Sequence, residues 1–186
     1  QSRGIGSKEI LRWKIGYCPE GRYGGRVIIP SFNNKGNINY FIARSYVGHK
    51  WRYLNPPAER DIIFNELYVD WDEPVTLVEG VFDAISAGEN AIPVLGSTLR
   101  DKAKLFQAIA LNDTPVYLAF DQDAEKKTGQ IMKNMLYYDI ELYKIDTTGF
   151  EDIGEMPRRI FESRKQMAQT IDHDDYFLMD ELRRIM

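Results

Sequence analysis

The feature that most constrains the fold is a regular alternation of short apolar runs with helical segments between residues 74 and 145. The runs PVTLVEG, AIPVLG, PVYLAF and IELYKI have the length and composition of strands covered on both faces. Between them lie VFDAISAG, which Gly88 can cap, then STLRDKAKLFQAIAL with Ser97 or Thr98 as its cap, and a helix from about residue 125 to 138. This alternation predicts an α/β fold, a parallel sheet with helices on both faces.

The flanking segments have a different character. The segment SKEILRWKIG predicts a short helix with Ser7 as N-cap and Gly16 at its end, and GRVIIPSF and NINYFIARSY predict a hairpin joined by NNKG. We therefore expect a helix-plus-sheet subdomain over 1–70, the parallel-sheet subdomain over 71–153, and a mostly helical segment over 154–186. The chain is then α+β overall.

The charge is unevenly distributed along the chain. Residues 1–60 carry eleven Lys/Arg and three Asp/Glu, a local charge of +8, whereas the remaining residues carry thirteen and twenty-five, or −12. The net charge of −4 hides this asymmetry. A basic platform beside an acidic region is typical of proteins that handle nucleic acid through divalent cations, although solubility alone could account for the acidic part.

Several classes of protein are excluded by composition. One cysteine, Cys18, and two histidines allow no internal disulfide and no credible zinc site, so we expect no zinc in this piece. No apolar run is long enough for a membrane span, and the polar N-terminus is not a secretory signal. We expect a cytoplasmic protein without a membrane partner and, because residue 1 is not Met, a piece of a longer chain.

Carboxylates follow the predicted strands where each one ends. Glu79 ends one strand, with Asp83 a helical turn further on, Asp121 and Asp123 end another, and Asp152 lies beyond the last. Because parallel strands end at the same edge, we expect these side chains to gather there. Taken alone, the Asp-x-Asp pair has a simpler interpretation as a solvated turn or a helix N-cap.

Clustered carboxylates favour a bound cation. Like charges a few ångströms apart oppose joint ionisation, and a divalent ion removes that conflict. Mg²⁺ prefers one or two carboxylates together with water and phosphate oxygens, which suits a sparse acidic edge. The sequence therefore predicts Mg²⁺, or Mn²⁺, at this edge.

These motifs also carry a family resemblance. LVEGVFDAI followed by FDQDAEKK resembles the Glu-Gly and Asp-x-Asp motifs of the TOPRIM domain. RGIGSKEILRWKIGYC, GGRVIIPSFNNKGNINYFIARS, RYLNPP and AIPVLGSTL are similar to successive landmarks of the catalytic core of a bacterial or phage DnaG-like DNA primase, over roughly residues 3–155. The resemblance implies template-directed synthesis of short RNA primers on single-stranded DNA by two-metal nucleotidyl transfer. The alternatives are a TOPRIM nuclease and a non-catalytic nucleic-acid-binding module with the same fold.

The resemblance also implies roles for particular residues. It makes Glu79, Asp121 and Asp123 the catalytic metal-binding residues, with Asp83 and Asp152 supporting them. It assigns template or nucleotide contacts to a basic group, which comprises Arg26, Arg44, Lys50, Arg52 and Asn55. The implied partners are single-stranded DNA, ribonucleoside triphosphates and, through regions outside this chain, a replicative helicase.

The sequence departs from the primase pattern in two places. Asn65 and Glu66 stand in a segment where related primases often have a basic residue, and Asp152-Ile153-Gly154 stands where many have Asp-Pro-Asp. These departures put nucleotide handling and the affinity for a second metal ion in doubt, rather than the fold.

Overall fold

The computed structural model describes residues 5–96, 98–121, 124–174 and 176–178. The chain divides into two compact units, Gln1–Val69 and Asp70–Met186. The second unit includes the C-terminal helix, which contacts the first helix of the parallel-sheet region. The separate helical segment over 154–186 stays a prediction.

The first unit is built on a three-stranded antiparallel sheet. Its elements are α1 (Ser7–Arg12), β1 (Gly16–Cys18), β2 (Arg26–Phe32), β3 (Ile38–Ser45) and a 3-10 turn at Glu66–Tyr68. The strand order is β1-β2-β3. The NNKG segment turns the chain between β2 and β3, with Gly36 in the left-handed region at φ +77°, where glycine is favoured. The predicted hairpin is therefore confirmed.

The predicted limits of α1 are wrong. Gly6 is the N-cap, and the side chain of Glu9 reaches back to accept its N–H at 2.9 Å, so Ser7 is the first helical residue. The helix ends at Arg12, and Gly16 already belongs to β1. Leu11 is 72% exposed, and the buried anchor is Trp13, whose ring lies 6.3 Å from that of Phe64. The Glu9 carboxylate therefore caps the helix at Gly6, one residue before Ser7, and the buried Trp13 is the C-cap.

The second unit contains the predicted parallel sheet. Its strands are β4 (Val75–Val78), β5 (Ala91–Pro93), β6 (Val116–Leu118) and β7 (Leu142–Lys144), in the order β5-β4-β6-β7 with all neighbours parallel. All four residues of β4 are buried. Successive strand residues face opposite sides, so both faces of β4 are covered. The predicted α/β architecture is confirmed.

Helices connect and flank these strands. They are α2 (Val81–Ala87), α3 (Lys104–Asn112), α4 (Glu125–Tyr137) and, after a 3-10 turn at Ile153–Glu155, α5 (Arg158–Met167). Gly88 caps α2 with φ +100°, as predicted. None of the helices in the described part of the chain has both the length and the apolarity to cross a membrane.

The predicted cap of α3 is wrong. The helix begins at Lys104 with Ala103 as N-cap, well after Thr98, and Ser97 lies outside the described residues. The preceding segment is irregular because Leu99, at φ +46°, turns its side chain into the core, where it is 1% exposed. Burying this leucine requires a backbone conformation that a helix starting at residue 98 does not allow.

Candidate active site

The carboxyl ends of the parallel strands bring the predicted acidic residues together. Glu79 follows β4 directly, and Asp121 lies three residues beyond β6, the strand that pairs with β4. Asp152 caps the 3-10 turn that follows β7. Asp83, in α2, interacts electrostatically with both Asp121 and Asp152. We call Glu79, Asp83, Asp121 and Asp152 the acidic edge. Asp123 lies outside the described residues, so its predicted place there stays a prediction.

Asp83 and Asp152 form a hydrogen-bonded carboxyl pair. Asp83 is only 8% exposed, and this burial, the hydrogen bond to Asp152 and the negative charges of Asp152 and Asp121 raise the pKa of Asp83 to about 8. Its Oδ2 accepts the N–H of Gly80 at 2.9 Å, and Oδ1 of Asp152 accepts the N–H of Gly154 at 2.6 Å. At neutral pH and without a cation, Asp83 therefore keeps its proton and donates it to Asp152.

Glu79 has one paired oxygen and one orphan oxygen. Its Oε2 lies 3.7 Å from Nζ of Lys127, and this lysine also lies 5.7 Å from the centre of the Phe120 ring. Its Oε1 is buried and has no hydrogen-bond partner. A buried carboxylate oxygen without a donor is costly, which leaves it available to a cation. The sequence alone did not predict this pairing of Lys127 with Glu79. The signal was its place in the first turn of α4, just beyond the Asp-x-Asp motif.

The described residues alone do not complete a metal site. Within residues 5–96, 98–121, 124–174 and 176–178, no group of three or more His, Cys, Asp or Glu side chains is placed to hold a metal ion. The donors at the acidic edge are all carboxylate oxygens, the ligand type that Mg²⁺ prefers. Two observations fit a divalent cation here. Oε1 of Glu79 has no hydrogen-bond partner, and the negative charges of Asp152 and Asp121 help to raise the pKa of Asp83.

Arg26 and Arg44 lie at neighbouring positions at one end of the β2–β3 hairpin. Arg26 is opposite Ser45 and Arg44 is opposite Val27, so the two arginine side chains project from opposite faces of the sheet. Arg26 is only 5% exposed, so its side chain does not form a solvated edge of the sheet. Arg44 lies over the ring of Tyr53, 5.6 Å from its centre.

The remaining basic-group residues lie on the connection after β3. Lys50 and Arg52 are exposed, and Nζ of Lys50 is 5.8 Å from the centre of the Trp51 ring. Asn55 is half-buried, and its side-chain oxygen accepts the N–H of Ala43 at 3.2 Å. This bond gives Asn55 a structural use, since it holds the connection against β3.

The two residues that depart from the primase pattern have structural roles. Asn65 is buried with φ +57°, its side-chain oxygen accepts the N–H of Phe32, and its own N–H donates to Oγ of Ser31. Both bonds meet β2 where its register with β3 shifts, between Ser31 and Phe32, so the Asn65 side chain pairs the N–H of Phe32 at this bulge. Glu66 accepts the N–H of Asn34 in the hairpin turn.

Comparisons with known proteins agree on one group. The chain is 26% identical to the DNA primase of Thermotoga maritima over 228 aligned positions, which cover 96% of this chain and 40% of that protein. The structure superposes on the DnaG primase catalytic domain bound to ssDNA with a TM-score of 0.77 and 19% identity, over 98% of this chain and 73% of the other. The E. coli primase catalytic core gives a TM-score of 0.76 and 19% identity, over 98% and 75%. No protein-family model matches the chain.

The antiparallel unit and the parallel sheet with its acidic edge together have the fold of a primase catalytic core. More particularly, the chain is similar in sequence to DNA primases over most of its length, and it has the fold of the DnaG catalytic core. The predicted resemblance is confirmed, and these relatives do not favour the nuclease or the non-catalytic module. The chain spans about two fifths of the length of the Thermotoga maritima relative.

Proposed function

We propose that this chain is the catalytic core of a DNA primase, which joins ribonucleotides into short RNA primers on a single-stranded DNA template. The observation that carries the proposal is the acidic edge, formed at the carboxyl ends of parallel strands in a chain homologous to DNA primases. In the reaction, a 3′-hydroxyl oxygen forms a bond to the α-phosphorus of the incoming nucleotide. The bond from that phosphorus to the bridging oxygen breaks, and pyrophosphate leaves together with the hydroxyl proton.

Glu79, Asp121 and Asp123 are the proposed ligands of Mg²⁺ or Mn²⁺. When bound, such ions lower the pKa of an attacking hydroxyl and stabilise the charge that develops on phosphate oxygens. Lys127 holds Oε2 of Glu79, so that Oε1, the oxygen without a protein donor, is the one presented for coordination.

Asp83 and Asp152 act as the supporting pair. The proton of Asp83 joins α2 to the turn at Ile153–Glu155, because Asp83 is anchored on Gly80 and Asp152 on Gly154. The pair thereby fixes the spacing between the end of β4 and the segment after β7. Hydrogen-bonded support of this kind keeps metal-binding carboxylates in place.

The first unit is the proposed template-binding unit. One face of the sheet carries a row of side chains whose residues are paired directly across the strands. The row comprises Tyr17, Val27, Arg44 and Tyr53. Tyr17 is 71% exposed and Tyr53 is 42% exposed, which leaves aromatic surface for base stacking beside the arginine. Lys50 and Arg52 add charge for backbone phosphates. Ribonucleoside triphosphates are the proposed second substrate, and a helicase would be bound through regions outside this chain.

The test is primer synthesis by the full-length parent protein. Single-stranded DNA, labelled ribonucleotides and Mg²⁺ should give short RNA products that disappear when a chelator is added. Asp121→Asn should abolish the products, whereas Asp72→Asn, which removes an exposed carboxylate elsewhere, should leave them unchanged. Labelling the template in the same reaction tests the nuclease alternative. Cleaved template without RNA products would refute the proposal.

A further inference from the structure

Lys127 is a positively charged side chain that lies at the acidic edge. Its Nζ is 3.7 Å from Oε2 of Glu79, and both side chains are mostly covered, with 20% of the lysine and 29% of the glutamate exposed. The ammonium group also lies 5.7 Å from the centre of the Phe120 ring. Phe120 directly precedes Asp121 in the chain. The lysine therefore lies among the proposed metal-binding residues, although it is not one of them.

The stability of α4 does not account for a lysine at this position. The helix begins at Glu125 with Ala124 as its N-cap, so Lys127 belongs to the first helical turn. The backbone N–H groups give the first turn of a helix a partial positive charge, which favours Asp or Glu there and disfavours Lys. The contacts of the side chain must therefore account for Lys127, and its carboxylate partner is Glu79.

The ion pair between Lys127 and Glu79 is loose. Its N–O distance of 3.7 Å allows electrostatic attraction but is longer than the roughly 2.7–3.2 Å of an N–H···O hydrogen bond. Within the described part of the chain, the contacts of this ammonium group are the Glu79 carboxylate and the Phe120 ring. An ammonium group held in this way can exchange its partner without breaking a hydrogen-bond network.

The carboxylate of Glu79 would have to serve two cations at once. The ammonium group of Lys127 lies at Oε2, and the oxygen left for a divalent ion is Oε1 of the same group. Two positive groups on one carboxylate lie a few ångströms apart and repel each other. For a charge of two beside a charge of one, this repulsion reduces affinity by roughly tenfold even when water screens the pair. Lys127 therefore opposes the binding of a metal ion by itself.

We propose that Lys127 is a resident counter-ion of Glu79, which makes the site take up its divalent ion together with a nucleotide triphosphate rather than before it. When the ion neutralises Glu79, the ammonium group leaves that carboxylate and contacts a phosphate oxygen of the nucleotide. The negative charges of the triphosphate attract both the ion and the lysine, so each ligand strengthens the binding of the other. This inference rests on the proposed function and deepens it, because it concerns how the proposed metal site is filled.

The first experiment measures the affinity of the full chain for Mn²⁺ without nucleotide, from the electron paramagnetic resonance signal of the unbound ion. Lys127→Met removes the charge and keeps most of the length of the side chain, so it should tighten Mn²⁺ binding roughly tenfold. Lys127→Arg keeps the charge and should bind Mn²⁺ like the wild type. The matched control is Lys133→Met, which removes a positive charge further along α4, beside the ring of Phe177, and should leave the affinity unchanged.

The second experiment measures nucleotide binding at saturating Mg²⁺. The probe is a fluorescent GTP analogue whose α and β phosphates are joined by a methylene bridge, so that no reaction follows. Lys127→Met should weaken its binding roughly tenfold, since a charge-assisted contact to a phosphate oxygen is lost. Lys133→Met should bind the analogue like the wild type. One substitution thus tightens the binding of metal alone and weakens the binding of nucleotide, whereas a merely structural role of Lys127 would move both affinities in the same direction.

Mn²⁺ binding that is unchanged or weaker in Lys127→Met, or nucleotide binding that is not weakened, would overturn the proposal. If Lys127→Met fails to fold, Lys127→Gln provides the same loss of charge for both measurements. Glu79→Gln shows which of the two proposals has failed. If the wild type binds no Mn²⁺ that Glu79→Gln removes, the proposed metal site is refuted together with this inference. If the wild type binds such an ion and Lys127→Met leaves its affinity unchanged, only the role of Lys127 is refuted.

Discussion

Replacing Asp83 with Asn should change how the stability of the protein depends on pH. Asn has the shape of the protonated carboxyl group, so its oxygen can accept from Gly80 and its amide can donate to Asp152. The substitution therefore keeps both hydrogen bonds of the neutral aspartic acid. It removes only the ability of this buried group to ionise.

The expected magnitude follows from the raised pKa of Asp83. In the unfolded chain the carboxyl group ionises near its ordinary pKa of 3.8, whereas in the folded protein its pKa is about 8, first because of burial and then because of Asp152. Between these values the folded state binds about one proton more than the unfolded state. The free energy of unfolding therefore falls as pH rises, by about 1.4 kcal/mol per pH unit, or about 4 kcal/mol between pH 5 and pH 8. Above pH 8 this contribution levels off.

The assay is urea unfolding between pH 5 and pH 9 in the presence of a chelator. The wild type should lose stability over this range, and Asp83→Asn should lose much less, so that the variant becomes the more stable protein at alkaline pH. Asp72→Asn, which replaces an exposed carboxylate, should keep the wild-type slope. Because the Asp83–Asp152 pair shares this proton, the pH midpoint of the stability change is a property of the pair and not of Asp83 alone. Saturating Mg²⁺ should flatten the wild-type slope, since a nearby cation favours the carboxylate. Equal slopes for the wild type and Asp83→Asn would refute the protonated pair.

Two further predictions use other charged residues. Replacing both Asp121 and Asp123 with Asn should abolish primer synthesis by the full-length protein, while circular dichroism shows that the fold is retained. Full synthesis with unaltered metal dependence would show that the two residues serve only as a turn or a helix cap. Lys165→Met should raise Tm, because burial lowers the pKa of Lys165 and its ammonium group is compensated by the hydroxyl of Thr76 and the Tyr117 ring rather than by a carboxylate among the described residues. The exposed Lys102→Met should leave Tm unchanged. A fall in Tm for Lys165→Met alone would show that these contacts outweigh the burial.

The parallel sheet and the acidic edge could be predicted because they depend on periodicity along the chain. Uncharged runs of strand length alternate with helical segments, and each carboxylate follows such a run, so topology alone places Glu79 and Asp121 at the same edge. Parallel strands leave little freedom in this respect. The antiparallel hairpin could be predicted as well, because NNKG separates two apolar runs of strand length.

The features that the sequence did not predict are caps, pairings and burial that depend on tertiary contacts. The predicted caps of α1 and α3 are wrong. Glu9 caps α1 at Gly6, and the buried Leu99, at φ +46°, keeps the segment before α3 out of the helix. The pairing of Lys127 with Glu79 joins two elements far apart in sequence. The buried guanidinium of Arg26 donates to the carbonyl oxygen of Trp51, which lies 25 residues further along the chain. No periodicity along the chain encodes such contacts.

The unsatisfied buried atoms show where this chain departs from the demands of stability. Buried polar atoms normally find partners, and ionised groups without them are the most costly exceptions. Within the described residues, buried side-chain atoms without a partner include Oε1 of Glu79 together with Nε and Nη1 of Arg26. One is a negative group at the acidic edge of the parallel sheet, and the other is a positive group in the basic unit. A divalent cation would satisfy the first and a phosphate group the second, and the proposed primer synthesis uses both kinds of ligand. The costs that each unit bears in isolation are therefore the ones that binding of metal and nucleic acid would relieve.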